Sequence, residues 1–136
     1  CQDNYEKIGF IIGCIGITPV ISILEYIKNK GLATDIALLY ANRTESDISF
    51  RKELDDWQRD NPRLRITDTV SDCQPRDKKC LAGGVDPKKI MMAIPDIDKR
   101  IIFVFGPPAM VSFTKELCSK LKICPYILKT ENFLGY

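Results

Sequence analysis

The sequence predicts an α/β fold, a three-layer, doubly wound parallel sheet of five strands in the order 3-2-1-4-5. Three observations predict it. Short apolar runs suited to buried strands alternate with segments of helical periodicity along the whole chain. The first run is apolar at nearly every position, as a parallel strand covered on both faces requires. Turns that combine glycine with proline follow the first and fourth strands and open helices, as strand-to-helix crossovers do.

Ile8-Gly9-Phe10-Ile11-Ile12 is the first strand. Thr18 then supplies a helix N-cap and Pro19 a first-turn proline. Val20, Ile21, Leu24 and Ile27 follow at helical spacing, and Gly31 stops the helix. Asp35 to Ala41 is a second buried strand. Ser46-Asp47, with Asp47 a candidate cap, leads into a helix carrying Phe50, Leu54 and Trp57 on one face, which Asn61-Pro62 ends. Leu64 to Val70 alternates apolar and polar residues, as a strand nearer a sheet edge does. Residues 72–84 form one long polar loop. Asp86-Pro87 starts a short helix through Ile94 that Pro95 closes. Arg100 to Phe105 is the fourth strand, and Gly106-Pro107-Pro108 turns into a helix carrying Met110, Phe113, Leu117 and Leu121. Pro125 to Leu128 is the fifth strand, and Glu131 to Tyr136 is a tail. Right-handed crossovers then place helices on both faces of a single domain, residues 1–136, without repeat or linker.

Composition narrows the function classes. With 45% hydrophobic and 28% charged residues, the chain is of the soluble globular kind. Its 20 basic and 18 acidic residues leave a net charge of +2, without the basic stripe of a nucleic-acid binder. The longest apolar stretch, Ile8 to Ile17, is too short to span a membrane. Cysteines at 1, 14, 73, 80, 118 and 124 show no CxxC spacing and histidine is absent, which argues against a metal site. A reduced, cytoplasmic protein is expected, with Cys73–Cys80 or Cys118–Cys124 as the pairings open to an unusual host. Starting at Cys1 without a leader, the chain reads as processed or excised from a larger one.

In a doubly wound sheet, ligands bind at the carboxyl ends of the strands where the strand order reverses, here between strands one and four. The loops Gly13-Cys14-Ile15-Gly16-Ile17-Thr18-Pro19 and Gly106-Pro107-Pro108-Ala109-Met110 fall there. Glycine lets a backbone approach a phosphate or planar ring, and a helix N-terminus offers N–H groups to an anion. Thr18 is expected to cap its helix and still lie at the pocket floor. After strand two, Asn42 and Arg43 stand where they can hydrogen-bond a ribose or phosphate. The competing reading is that each loop is an ordinary turn.

At these residues the sequence resembles the NAD(P)-binding domain of the ferredoxin–NADP reductase superfamily, which includes cytochrome b5 reductase, the flavin module of nitrate reductase and bacterial oxygenase reductases. Gly13 to Pro19 resembles its G-G-x-G-[IL]-T-P, and Tyr40 to Leu54 its Y-x-N-R-T-x-x-D-I-x-x-x-x-E-L. Val85 with its preceding glycines resembles G-x-V, Phe105 to Met110 resembles C-G-P-P-x-M, and Glu131 to Tyr136 resembles E-x-F-x-G-Y. Cys14 replaces the second glycine of the first motif, and Phe105 stands where many members have a cysteine beside the nicotinamide.

The resemblance implies an enzyme half that positions NADH or NADPH for hydride transfer to FAD, the flavin being held by a separate β-barrel domain whose R-x-Y-[ST] motif is not found here. Electrons then pass singly to an iron–sulfur or haem partner. It places Thr18 and Pro19 under the nicotinamide, Phe105 beside it, and Gly106 and Pro107 on its other side. Gly13, Cys14, Gly16, Ile17, Pro108 and Met110 complete the cofactor-binding loops, Asn42 and Arg43 reach the adenosine half, and Phe133 with Tyr136 lies toward the flavin boundary. Arg43 or Arg51 would be the basic group for the 2′-phosphate of NADPH, but the N-R-T-E-S-D wording resembles NADH-using members more closely. Cys14 and Phe105 motivate an alternative, a catalytically silent NAD-binding sensor or scaffold module. A domain of the same fold that signals through protein contacts alone is the third possibility.

Overall fold

The computed structural model describes residues 7–13, 17–72, 74–76, 80–106, 108–120 and 128–132, with residues 108–110 and 128–132 described in backbone only. The elements run β1 (Lys7–Gly13), α1 (Ile17–Lys30), β2 (Asp35–Asn42), α2 (Arg51–Asp60), β3 (Leu64–Val70), β4 (Leu81–Ala82), α3 (Pro87–Ala93), β5 (Ile101–Gly106), α4 (Pro108–Lys120) and β6 (Leu128–Asn132). Among the described residues the strands form one sheet in the order β4-β3-β2-β1-β5-β6, every pair parallel. The expected doubly wound order is therefore present, with one additional two-residue strand outside β3.

Burial follows from the pattern of each segment. In β1 every residue after Lys7 is buried, because helices cover both faces of this central strand. One face packs Phe10, Leu38 and Tyr40 against Val20 and Leu24 of α1 and Leu54 of α2. The other packs Ile11, Leu39 and Val104 against Ile90 of α3 and Val111 and Leu117 of α4. Gly9 lets the second layer close in, since a Cβ there would meet Ile102 Cδ1 at 2.6 Å and Ile94 Cδ1 at 3.2 Å. Gly31 ends α1 at φ 64°, a left-handed backbone that glycine adopts without steric cost.

The strand beginnings are tied together by a buried cation. Arg100 is 1% exposed and donates to Asp96 Oδ1 at 2.6 Å, Asp35 Oδ1 at 2.7 Å, the Asp35 carbonyl at 3.0 Å and the Ile8 carbonyl at 3.1 Å. Burial disfavours the charged guanidinium, but the hydrogen bonds it donates to Asp96 and Asp35 outweigh burial and raise its pKa. Asp96 shows the same competition: burial pushes its carboxyl up, and Arg100 holds it below the usual carboxylate range.

Several boundaries differ from the sequence expectation. The last strand is Leu128–Asn132, later than 125–128, and takes in Glu131 and Asn132 from the expected tail; residues 125–127 lie outside the described set. An edge strand pairs through its backbone on one side only, so this polar stretch carries no apolar signature. Leu81–Ala82 pairs with Thr69–Val70 inside what reads as a loop. Phe50 is not on the inward face of α2: it precedes the helix at φ 58° and is 43% exposed. Asp47 caps the short 3-10 turn at Glu45–Asp47, accepting from the Thr44 N–H and hydroxyl, rather than α2. The inward face of α4 carries Val111, Thr114, Leu117 and Cys118, while Phe113 is 50% exposed. Burial alone pushes the Cys118 thiol up to about 11, so it acts as a small hydrophobe.

Candidate functional site

Parallel pairing decides which loops meet. β1 and β5 are neighbours with Ile12 opposite Phe105, so Gly13 and Gly106, one step further along, leave the sheet side by side at the same rim. The chain steps outward from β1 through β2 to β3 and then returns to β5 on the other side of β1, so the strand order reverses at this point. Ala41 of β2 lies opposite Gly13. Three small residues thus form the edge where a ligand backbone or ring needs close approach.

Two helices begin at this rim, α1 packing on one face and α4 on the other. Proline removes one first-turn N–H from each, at Pro19 of α1 and Pro108 of α4, and the remaining first-turn N–H groups with the positive dipole ends are of the kind that suits an anion. α1 starts at Ile17, so Thr18 stands inside the first turn rather than at the cap. Ile17 is buried in the core, Thr18 is exposed, and Pro19 is half-buried. Pro108 and Met110 lie in the first turn of α4. Cys14, Gly16, Pro107 and Phe133 lie outside the described residues.

Phe105 turns away from solvent. It is 6% exposed and stacks with Phe103 at 6.0 Å and Phe10 at 6.3 Å between ring centroids, while Phe10 and Phe103 stack at 5.5 Å. Tyr40, Ile12 and Phe105 lie in one transverse row across β2, β1 and β5, all on the face covered by α1 and α2. This row is the packed support directly beneath the rim.

The loop after β2 is built on Tyr40. Its buried hydroxyl accepts the Ser49 N–H at 3.1 Å, and burial, only partly offset by that bond, raises its pKa. Asn42, two residues on, is 4% exposed, and both its amide nitrogen and oxygen lack a hydrogen-bond partner among the described residues, although the amide neighbours the Tyr40 hydroxyl. A buried amide with no partner at all costs about 1–3 kcal/mol, so one that lacks a protein partner calls for water or ligand. Arg43 is exposed and donates to Asp72 Oδ2 at 2.8 Å; this hydrogen bond, ahead of the one from Ser71, holds the Asp72 carboxyl below the usual carboxylate range. Backbone bonds from Ser71 to Asn42 and from Asp72 to Arg43 fasten the loop after β3 to the loop after β2. Sequence reasoning missed this fastening, because nothing in the spacing of Arg43 and Asp72 announces it.

A cavity of about 430 Å³ opens at the opposite rim, where β2 and β3 begin, lined by Leu24 and Ile27 of α1, Trp57 of α2 and Arg63. It is separated from the glycine turns by the length of the sheet.

Known proteins share this arrangement. Residues 10–116 match the family described as oxidoreductase NAD-binding domain. The chain is 35% identical over 113 residues to NADH-cytochrome b5 reductase 1 of Scheffersomyces stipitis, covering 82% of this chain and 40% of that protein. It is 34% identical over 134 residues to nitrate reductase [NADH] 2 of Arabidopsis thaliana, covering 95% of this chain and 14% of that one. Among solved structures it superposes on the cytochrome b5 reductase domain of Ulva prolifera nitrate reductase with a TM-score of 0.85 and 29% identity, over 93% of this chain and 50% of that one. The chain therefore spans well under half the length of these two curated relatives. With the family match over most of its length, and with the glycine turns of its two central strands at one rim of a doubly wound sheet, the chain belongs to the oxidoreductase NAD-binding domain family, within the ferredoxin–NADP reductase superfamily.

Proposed function

We propose that this domain is the NADH-binding half of a flavin-dependent reductase, which positions the nicotinamide for hydride transfer to an FAD held by a separate domain. The observation that carries this reading is the meeting of the Gly13 and Gly106 turns at the one rim where the strand order reverses. The residues present fit a dinucleotide: a small-residue edge at Gly13, Ala41 and Gly106, two helix N-termini for the pyrophosphate, and a buried Asn42 amide with hydrogen-bonding capacity unused among the described residues. The dinucleotide supplies the hydride; the protein binds and orients it, which is the protein's usual part in cofactor chemistry. Thr18, exposed in the first turn of α1, is the side chain proposed to contact the nicotinamide end, with Gly106 and Pro107 proposed for its other side and Asn42 and Arg43 for the adenosine half.

NADH is favoured over NADPH on chemical grounds. The two arginines available to a 2′-phosphate are both engaged by carboxylates, Arg43 by Asp72 at 2.8 Å and Arg51 by Glu45 at 3.6 Å. The relatives' names carry NADH as well. Onward electron transfer to a haem or iron–sulfur partner, and a cytoplasmic setting, complete the proposal.

The test joins this chain to a flavin-binding domain and adds NADH without oxygen. Bleaching of the flavin absorbance is the expected result. Saturable NADH binding without bleaching would replace the enzyme reading with a silent NAD-binding module, and a flat titration of this chain with both NADH and NADPH would leave only a scaffold.

A further inference from the structure

We propose that the cavity at the rim where β2 and β3 begin is a second binding site, for a small organic anion with an apolar body, of the medium-chain carboxylate type. The dinucleotide reading plays no part in this inference, because the length of the sheet separates the cavity from the glycine turns. The volume of about 430 Å³ lies within the roughly 300–1,000 Å³ usual for small-molecule sites.

The cavity has a cause in the fold. α1 stops at Lys30 and α2 at Asp60, and the chain then enters β2 at Asp35 and β3 at Leu64 through short turns. Ile36 and Leu64 are direct partners across these two strands, so the paired strands begin with an apolar couple. Both line the cavity, together with Leu24 and Ile27 of α1 and the half-buried Trp57 of α2. A lining of this kind takes an apolar body out of water.

Charge selects the head group. Lys28 and Arg63 also line the cavity, and neither is paired with a carboxylate among the described residues. Each is nonetheless held in place. The Lys28 ammonium lies over the Trp57 ring, 5.9 Å from its centroid. One Arg63 nitrogen donates to the carbonyl of Ala33, another lining residue, at 3.1 Å, which leaves its other N–H groups for an acceptor. Asp60 is the one acid of the lining; its side chain is 70% exposed and faces Arg59 at 3.9 Å. Two cations against one carboxylate leave the cavity positive. The C-termini of α1 and α2 oppose this with the negative ends of their dipoles. Several of their last carbonyls are already answered, Lys28 by the Gly31 N–H at 3.2 Å, Ile27 by the Leu32 N–H at 3.1 Å and Trp57 by the Asn61 N–H at 2.9 Å. A carboxylate matches the planar donor fork of a guanidinium, and an alkyl chain behind it matches the apolar lining.

Trp57 is the sole tryptophan of the 136-residue chain, so its emission reports on this cavity directly. Titration with octanoate should change that emission saturably. Acetate, which lacks the apolar body, and octyltrimethylammonium, which reverses the charge, should bind at least about 10-fold more weakly. Arg63→Gln and Lys28→Gln alter exposed side chains, so both should melt like the native chain. Each should weaken octanoate about 5- to 10-fold, the strength of a charge-assisted hydrogen bond reduced by exposure, and Arg63→Lys should lose less than Arg63→Gln. A flat octanoate titration would overturn the proposal. Equal binding of octyltrimethylammonium would also overturn it, leaving an apolar surface without charge selection. Unaltered octanoate affinity in both folded glutamine variants would do the same, by placing the anion elsewhere on the chain.

Discussion

Replacing Phe105 by alanine tests how much the residue next to the second glycine turn contributes to the core. Phe105 is 6% exposed and its ring has two stacked aromatic neighbours. Removal of a buried phenylalanine costs about 3–5 kcal/mol, a range that takes in both the lost transfer energy and the cavity left behind. Stacked pairs add about 0.5–1.5 kcal/mol each beyond area burial, which favours the upper half of that range. Unfolding entropy of roughly 2.1 cal/mol/K per residue gives roughly 0.3 kcal/mol/K for this chain length, so the melting temperature should fall by about 13–17 °C. Circular dichroism during a thermal scan reads this directly. Phe103→Ala is the internal control: Phe103 is only partly buried, so its removal should cost clearly less. A drop of only a few degrees for Phe105→Ala, or a larger one for Phe103→Ala, would refute the packing argument. Phe105→Cys, joined to a flavin domain, completes the case: stability should fall while the bleaching rate stays near that of the native protein.

Three other perturbations have defined outcomes. Arg100→Met leaves Asp35, Asp96 and two carbonyls without their donor; because the two carboxylates remain 35% and 26% exposed, the loss should sit near the low end for buried ion pairs, about 3 kcal/mol in a denaturant titration. Asp86 caps α3 through the Lys89 N–H at 2.7 Å, and the Lys89 hydrogen bonds hold its carboxyl below the usual range. Its contribution is therefore complete above the ordinary carboxylate range and lost as pH falls through the lowered folded value; Asp86→Ala should cost about 1 kcal/mol at neutral pH, and Asp86→Asn, also a good cap, should keep that stability while flattening the acid limb. Gly31→Ala forces a Cβ into the left-handed region at φ 64° with no clash to relieve, so chemical denaturation should show a loss of about 1 kcal/mol and a smaller one for asparagine.

Much of the fold is legible in the sequence because the central strands announce themselves. The run from Ile8 to Ile12 and the run from Asp35 to Ala41 are apolar on both faces, a demand that only a covered parallel strand makes. Legibility fades toward the edges, where one-sided pairing tolerates Leu128–Asn132 and a two-residue strand at Leu81–Ala82. Helix faces fade for another reason. Thr114 and Cys118 fill inward positions of α4 while Phe113 does not, since burial is set by where the helix lies on the sheet and not by hydrophobicity alone. At the site, the glycine turns were readable from composition and order. The Tyr40–Ser49 bond, the Arg43–Asp72 pair and the left-handed Phe50 were not, because each depends on a backbone path or on a contact that no residue spacing encodes.

Across the central strands, the two rims of the sheet divide the work of stability and binding. At the rim where the strands begin, Arg100 gathers two carboxylates and two carbonyls, all within hydrogen-bond distance, and locks β1, β2 and the entrance to β5 together. At the rim where they end, the described residues show the opposite economy: small residues at Gly13, Ala41 and Gly106, an Asn42 amide without a partner, and a phenylalanine in a disfavoured backbone. Unused hydrogen-bonding groups and local strain persist only where surrounding structure over-determines them. The transverse row of Tyr40, Ile12 and Phe105 supplies that determination, since it is buried, continuous across three strands, and lies one residue below the edge. On the proposed reading, a ligand arriving at this rim would meet groups already held in place, its ordering cost met by the core beneath.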